Sequence, residues 1–591
     1  MTDQNIQDDE LPIINCHTHI FTGDHVPPFL AKTFIPWPFY YLFPVNLIVG
    51  IFRLWYNHIY TWQFKPWYGK LSNALYSFRM FFVRNGLLSI LSFLIGSYIS
   101  VQVFFILFDW LSSVMPAAGG IKNSIEELRR WLGSNWNIYV PESTGLKLLM
   151  IVLLLLFFKP GRNLIWFLVK NIWTFLGVLP GSETKKLAGR YLNIGRYAFY
   201  RQQGKVFGRI KSQYPPKTKF IVLPMDMEFM GAGRLNKDHL YAEQMRMLAA
   251  IKNNKENSNI IFPFVFADPR RIQKEGKAHF DYSIDTNGKI RLNDCFIKRF
   301  IEDEKFSGFK IYPALGYFPF DELLLPLWKY AADNALPVLT HCIRGTIYYR
   351  GRKNKAWDKH PVFTWAAGNY VPMPLTEIRN RDFINNFTHP LNYLCLLEEQ
   401  LLRKLVAAAK DDRIRQMFGY KDADTRMDAD LSHLKLCFGH FGGDDEWDKF
   451  FESDRDNYSS QLVKYPETGI SFMKDEKGNP APGKLEQVWK YVDWYSTICS
   501  MMLQYDHVYA DLSYIIHNPS IEPLLRHTLS NKKLLKKVLF GTDFYVVRNH
   551  KTEKHMLADV LDYLPRQEFD QIAKVNPRNF LINKTHTTTL K

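Results

Sequence analysis

Short apolar runs rich in β-branched and aromatic residues recur along most of the chain, with longer amphipathic stretches between them. Eight such runs stand out: Pro12–Cys16, Lys219–Leu223, Ile260–Ala267, Gly308–Tyr312, Leu336–Thr340, Leu434–Phe438, Val508–Leu512 and Val538–Gly541. Each has strand length and strand composition. Helix-like patterns fill residues 236–252, 321–335, 391–410, 487–505, 521–533 and 552–562. Strands alternating with helices predict an α/β fold, and eight repeats predict a (β/α)8 barrel of the TIM type. The longer excursions at 343–386 and 441–486 follow the fifth and sixth runs. They are expected on the face where the strands end, which is where such barrels shape a substrate pocket.

The first run is separated from the second by a stretch of another character. Residues 85–108 hold no charge over 24 positions, and residues 33–52 hold none over 20, although Pro36, Pro38 and Pro44 interrupt the latter. A further apolar run covers 148–158, between Lys147 and Lys159, and another covers 163–180, broken by Lys170. About 20 apolar residues span a bilayer, so 85–108 is long enough alone. The 148–158 run reaches that length if 143–147 joins it and Lys147 snorkels to the interface. Arg79 and Arg84 precede the first run, and Lys159 and Arg162 follow the second. Cations on both outer ends predict a transmembrane hairpin whose ends lie in the cytoplasm, with Trp131, Trp136 and Trp166 suited to the interface. The loop at 110–146 is nearly neutral, and the Pro-broken run reads as interfacial or packed on the hairpin. A buried helical core within a soluble insert is the competing reading. The acidic start MTDQNIQDDE is not a signal peptide. The domain reading is therefore a first strand in 1–24, a basic apolar insert in 25–211, and the rest of the barrel in 212–591.

Charge sharpens this reading. The chain of 591 residues carries a net +17, and residues 25–211 alone supply +16, from 21 Lys/Arg against Asp109, Glu126, Glu127, Glu142 and Glu183. The cations bracket apolar runs and form no polar face, so an anionic membrane surface is favoured over nucleic acid. Six Cys without a CxxC pair exclude a disulfide scaffold and a cysteine-type zinc site. P-loop and GxSxG patterns are lacking, so P-loop nucleotide hydrolysis and serine hydrolysis have no support.

The chemistry stands at the strand ends. Run one closes on His17-Thr18-His19, run four contains Lys310, run five is followed by His341, run six by His440 and run eight by Asp543. Residues i and i+2 of a strand share a face, so His17 and His19 can chelate one ion. Imidazoles with a carboxylate suit zinc or a similar divalent metal. Singly, each residue is weak as a signal; the joint order is what carries the reading.

The segments INCHTHIF (14–21), FADPR (266–270), GFKIYPALGYFP (308–319), PVLTHC (337–342), LCFGHFGG (436–443), LFGTDF (539–544) and VNPRNF (575–580) resemble the amidohydrolase superfamily. The nearest likeness is to the branch that includes aminocarboxymuconate-semialdehyde decarboxylase. The resemblance covers 11–21 and about 219–583, and the insert has no counterpart in it. It implies one divalent metal, with Zn2+ the expected ion, held by His17, His19, His341 and Asp543. His440 would lie beside the metal, act on the bound water or the substrate, or ligate a second ion. It implies a hydrolase that activates water to cleave an amide, ester or lactone bond, with Asp543 and His440 catalytic. Asp543 would take the proton of the attacking water.

Lys310 carries two readings, a carbamylated bridge between two metals or a substrate-binding group, beside the plainer one of a buried lysine paired with Asp268 or Asp511. Arg344 is a candidate anion clamp, Arg270 a weaker one, and Tyr312 a candidate substrate contact. Asn576 and Arg578 read as packing for the last helix. A nonoxidative decarboxylase on the same site is the alternative enzyme, and a membrane-tethered scaffold on a degenerate barrel the alternative class. Expected partners are a small-molecule or lipid-like substrate and, through 28–180, a membrane; oligomerisation is the other use for the insert's apolar surface.

Overall fold

The computed structural model describes residues 11–54 apart from 34 and 36, then 66–114, 119–136, 143–157, 197, and 200–582 apart from 237–239, 346, 366–370, 453–458, 475–477, 480 and 482. The apolar run at 163–180, Trp166, Lys159 and Arg162, and the acidic N-terminus fall outside these residues. The described chain divides into two compact units, one of Met1–Arg53 with Arg190–Lys591 and one of Leu54–Gly189. The described residues of 25–53 and 200–211, grouped by charge with the insert, fall in the larger unit.

The larger unit is a mixed α/β structure. Its strands are β1 (Ile14–Thr18), β2 (Lys219–Val222), β3 (Ile261–Pro263), β4 (Val265–Phe266), β5 (Tyr282–Ile284), β6 (Ile290–Leu292), β7 (Phe309–Ile311), β8 (Val338–Ile343), β9 (Lys359–Trp365), β10 (Val371–Pro374), β11 (Leu436–Gly442), β12 (Val508–Asp511) and β13 (Val538–Leu539). Every one of the eight expected runs contains a strand. One sheet runs β1-β2-β3, and a six-stranded sheet runs β13-β12-β11-β8-β7-β4, with all pairings parallel. β3 and β4 are one stretch of chain interrupted at Phe264, and they use opposite edges: Phe264 N–H donates to Val222 O at 3.0 Å while Val265 N–H donates to Gly308 O at 2.9 Å. At the other end of the order, Cys16 N–H donates to Phe540 O at 2.9 Å and Asp543 N–H to His17 O at 2.9 Å.

Parallel strands need crossovers, and helices supply them. Tyr241–Asn253, Leu325–Asp333, Glu399–Ala408, Trp494–Gln504 and Glu522–Ser530 each precede the next strand. The helix Trp494–Gln504 starts where Asp493 accepts from Ser496 N–H, an N-cap that satisfies an orphan donor. The two antiparallel pairs, β5–β6 and β9–β10, were not expected; the second forms within the 343–386 excursion. Pro361, Pro372 and Pro374 obscure that pairing in the sequence, because proline sits only at sheet edges.

Alternation along the strands sorts their faces. Ile14, Cys16, Ile221, Leu223, Phe262, Phe264, Leu339, Cys437, Tyr509 and Leu539 form one apolar cluster, closed off by Phe580 and Leu581 of the last helix. Asn576 of that helix donates to Leu535 O and Val538 O at 2.7 Å each, which ties it to β13. Two residues beyond cluster members along their strands come His341, Gly439, Asp511 and Gly541, so the cluster is the floor beneath the polar site.

The smaller unit is helical, with Pro66–Arg84, Gly86–Val114, Gly119–Trp136 and Thr144–Phe157. Residues Gly86–Phe108 form a helix long and apolar enough to cross a membrane. Phe105 and Ile106 are buried against Ile125, Leu132, Met150 and Ile151. The stretch expected as a connecting loop is largely helix, because Ile121, Ile125, Leu128 and Leu132 recur at helical spacing.

Candidate metal centre

The site is assembled where β1, β8, β11 and β12 and the segment after β13 end. In β1 the pairing register with β2 shifts between Asn15 and Thr18. A bulge of this kind breaks the simple alternation. Cys16 therefore joins the apolar floor while His17 reaches Asp511 on the same side, with Nδ1 2.9 Å from Asp511 Oδ2. Glycines make room for the ring. A Cβ on Gly439 would stand 3.1 Å from His17 Cε1, and one on Gly541 would stand 3.0 Å from His17 Cβ.

Asp511 organises its neighbours. Its Oδ1 accepts from His440 N–H and Ser513 N–H at 3.0 Å each, and from the Ser513 hydroxyl. With its one proton given to Asp511, Ser513 Oγ can only accept from His17 Nδ1 at 3.0 Å and His440 Nδ1 at 2.9 Å. Both imidazoles are thereby fixed as Nδ1–H tautomers. His19 is fixed likewise, because its Nδ1 donates to Leu223 O at 2.8 Å. His440 Nε2 then accepts from His341 Nδ1 at 3.1 Å, which makes His341 the fourth Nδ1–H tautomer. His17, His19 and His341 keep an Nε2 lone pair that accepts no hydrogen bond, the atom a metal needs, while that of His440 accepts from His341.

His17, His440 and Asp543 have ligand atoms that all lie within 4.8 Å of one another, and the three residues are buried. This group could hold a metal ion. His19 adjoins it, with Nε2 3.3 Å from Asp543 Oδ1, and His341 adjoins it through His440. His17 Nε2 and His341 Nε2 are buried without a hydrogen-bond partner. Leaving buried acceptors unpaired is costly, so the donor set fits a cation that would engage them. Burial holds His440 down to about 3 and keeps His17 and His341 well below the ordinary imidazole range. The rings are neutral, as ligation requires. His440 and Asp543 both have positive φ, 65° and 62°. Such non-glycine backbone costs on the order of 1–3 kcal/mol per residue and is concentrated at functional sites.

The other candidates separate. Tyr312 stacks on His341 with ring centroids 3.7 Å apart and an interplanar angle of 12°. Lys310 is fully buried and its Nζ has no hydrogen-bond partner, so the expected pairing with Asp268 or Asp511 is not a direct one. Burial pulls its pKa down to about 8, opposed by the charges of Asp511 and Asp543. Asp268 instead binds Arg270 through both carboxylate oxygens, at 2.9 and 2.6 Å. Arg270 also donates to Phe229 O and Leu315 O, which makes it a brace for loops. Arg344 is half exposed, 3.2 Å from Glu446 and over the Trp494 ring.

Sequence reasoning assigned Asp511 only as a partner for Lys310 and passed over Ser513. The signal was present: the seventh run ends Asp511-Leu512 and is followed by Ser513, so two polar residues stand at strand spacing. Neither a model of a known protein family nor a curated protein matches the chain.

Proposed function

We propose that the protein is a metal-dependent hydrolase of the amidohydrolase type, anchored at the cytoplasmic face of a membrane and built on a closed (β/α)8 barrel. The reading rests on one observation: four tautomerically fixed imidazoles and a carboxylate gather at the ends of parallel strands, with the buried Nε2 atoms of His17 and His341 left unengaged. Closure of the barrel is supported by the hydrogen bonds that join β1 to the segment after β13. Anchoring is supported by the helix Gly86–Phe108, with Thr144–Phe157 as its expected partner.

His17, His19, His341 and Asp543, with His440 beside them or among them, are the residues that would hold the ion. A divalent metal such as zinc supplies Lewis acidity and makes water a better acid. Asp543 would take a proton from an attacking water at a carboxylate oxygen and return it to the leaving amine or alcohol. His440, held by Ser513 and Asp511, presents Nε2 toward His341 and holds that ring in place beside the ion. Tyr312 fixes the plane of His341. Decarboxylation calls for a cation on the substrate carboxylate, and Arg344 is already engaged by Glu446; hydrolysis is therefore the reading favoured.

Elemental analysis of purified protein beside the His17→Ala/His19→Ala variant tests it. The expected result is about one equivalent of divalent metal, lost in the variant, with metal-dependent cleavage in a screen of amides, esters and lactones. Two equivalents would make Lys310 a bridging ligand. No metal after reconstitution would overturn the mechanism.

A further inference from the structure

The segment that follows β1 carries a second feature on the same face as the site. Residues 21–33 are braced by the loops that leave the ends of the other strands. Tyr545 Oη donates to Phe21 O at 2.7 Å, Phe29 N–H to Ala232 O at 2.9 Å, and Tyr348 Oη to Thr33 O at 2.7 Å. Arg53 returns to Asp24 through two hydrogen bonds, at 3.0 and 2.5 Å. The segment 34–52 is thus held beside the mouth where His19 and Asp543 stand.

Its underside and its outer side differ. Tyr40, Val45 and Val49 are buried, and the two valines pack into the core of this unit. Trp37, Tyr41, Leu42, Phe43, Leu47 and Ile51 are exposed, Trp37 by 75% and Leu42 by 67%. Val45 and Val49 lie one helical turn apart, as do Leu47 and Ile51, so the helix Val45–Leu54 is apolar on both faces. A soluble surface seldom exposes such a contiguous apolar group without a partner.

Charge and continuity identify the partner. Between Asp24 and Asp109 the chain has no Asp or Glu and, besides Arg53 on Asp24, five Lys/Arg. The same stretch leads into Gly86–Phe108, whose length and composition suit a bilayer core. Exposed tryptophan, tyrosine and phenylalanine beside leucine and isoleucine are the residues of a lipid interface. We infer that residues 37–51 are a docking surface for an anionic bilayer, which seats the metal-centre face against the lipid, so that the substrate is an amphiphile taken from the membrane. The substrate class rests on the hydrolytic reading above; the docking surface does not.

The six cysteines are all free and buried, so an added surface cysteine can be labelled selectively. Full-length Leu42→Cys and Leu47→Cys variants carry a fluorophore and are reconstituted into phosphatidylcholine vesicles with about a third phosphatidylserine. Phe93→Cys serves as the membrane reference and Ile378→Cys, 89% exposed in the larger unit, as the aqueous one. Nitroxide lipids labelled near the headgroup are expected to quench positions 42 and 47 strongly and position 378 little. Quenching at 42 and 47 no greater than at 378, with 93 quenched, would overturn the docking surface. Self-quenching that rises with protein-to-lipid ratio, without lipid quenching, would assign the patch to a second copy and also overturn it. In the same vesicles, Trp37→Ser/Leu42→Ser/Leu47→Ser is expected to slow cleavage of a long-chain acyl ester at least about tenfold and to leave a short, water-soluble ester within about twofold. Equal loss on both esters would overturn the lipid route. Absence of both activities with lipid quenching intact would refute the hydrolytic reading and leave the docking surface standing.

Discussion

Asp511→Asn tests the tautomer argument directly. Asp511 Oδ1 faces three donors, the backbone N–H groups of His440 and Ser513 and the Ser513 hydroxyl. In the variant the amide oxygen must take that place, since the amide nitrogen would meet three donors there. The nitrogen then occupies the Oδ2 position, 2.9 Å from His17 Nδ1. Two donors cannot face each other, so His17 changes to the Nε2–H tautomer and loses the lone pair that would bind metal. Outer hydrogen-bond partners of ligating histidines are typically worth about 10–100-fold in metal affinity, or about 1.4–2.7 kcal/mol. The assay is zinc titration of the apoprotein against a chromophoric competitor, with circular dichroism to confirm the fold. Ser513→Ala is the companion: Asp511 still accepts from His17, so its loss should be smaller. Wild-type zinc affinity in a folded Asp511→Asn protein would refute the reasoning.

Four further outcomes follow from the packing and charge of the larger unit. Lys310→Met should raise the midpoint of thermal unfolding of metal-free protein, by about 1–3 kcal/mol of stability, because it removes a buried amine without a hydrogen-bond partner; a lowered midpoint would show that the amine is satisfied. Gly308→Ala should cost about 3 kcal/mol or more in urea unfolding, since its Cβ would stand 2.4 Å from Pro337 O and 2.9 Å from Phe264 Cζ. Gly439→Ala should weaken zinc binding in the competition assay, through the His17 ring it would press on. Glu275 is held down to about 2 by His279, whose Nδ1 lies 3.2 Å from its carboxylate, and by Arg271. A depressed carboxylate stabilises the fold above its ordinary value near 4.5 and loses that contribution as pH falls toward 2. Glu275→Gln should therefore lower stability at neutral pH, by about 1 kcal/mol or less given its partial exposure, and flatten the acid limb of a pH–stability profile over that window.

The strands were legible because each is a short β-branched run bounded by helical patterns, and their burial on both sides leaves no polar alternation to confuse the period. The split of Ile260–Ala267 into β3 and β4 was not legible, because it depends on which neighbour each half pairs with. The histidines and Asp543 were legible as residues standing where runs end. Their order of contact was not. His341 reaches the group through His440, and the bulge at Asn15–Thr18 turns His17 toward Asp511; both depend on the backbone path, which spacing does not encode. The ion pair of Arg344 was not legible for a similar reason. Its partner Glu446 lies about a hundred residues away in the chain, is buried, and accepts from Trp494 N–H at the start of the helix that Asp493 caps.

β1 is made first and finished last. Its two neighbours in the hydrogen-bond order are β2, which begins at residue 219, and the segment around Phe540–Phe544. Loop-closure entropy grows only logarithmically, so the long interruption after β1 adds little to the free energy of folding. Time is another matter. At roughly 5–20 residues per second, synthesis from β1 to β13 takes on the order of half a minute to two minutes. Throughout that interval β1 has at least one open edge, and for most of it the apolar stretch after β1 is already outside the ribosome. Delivery of residues 85–108 to a membrane during synthesis would tether the waiting strand and keep it from pairing with other chains. A metal supplied before residue 543 emerges would find the group of His17, His440 and Asp543 incomplete, so any loading would belong to the finished chain.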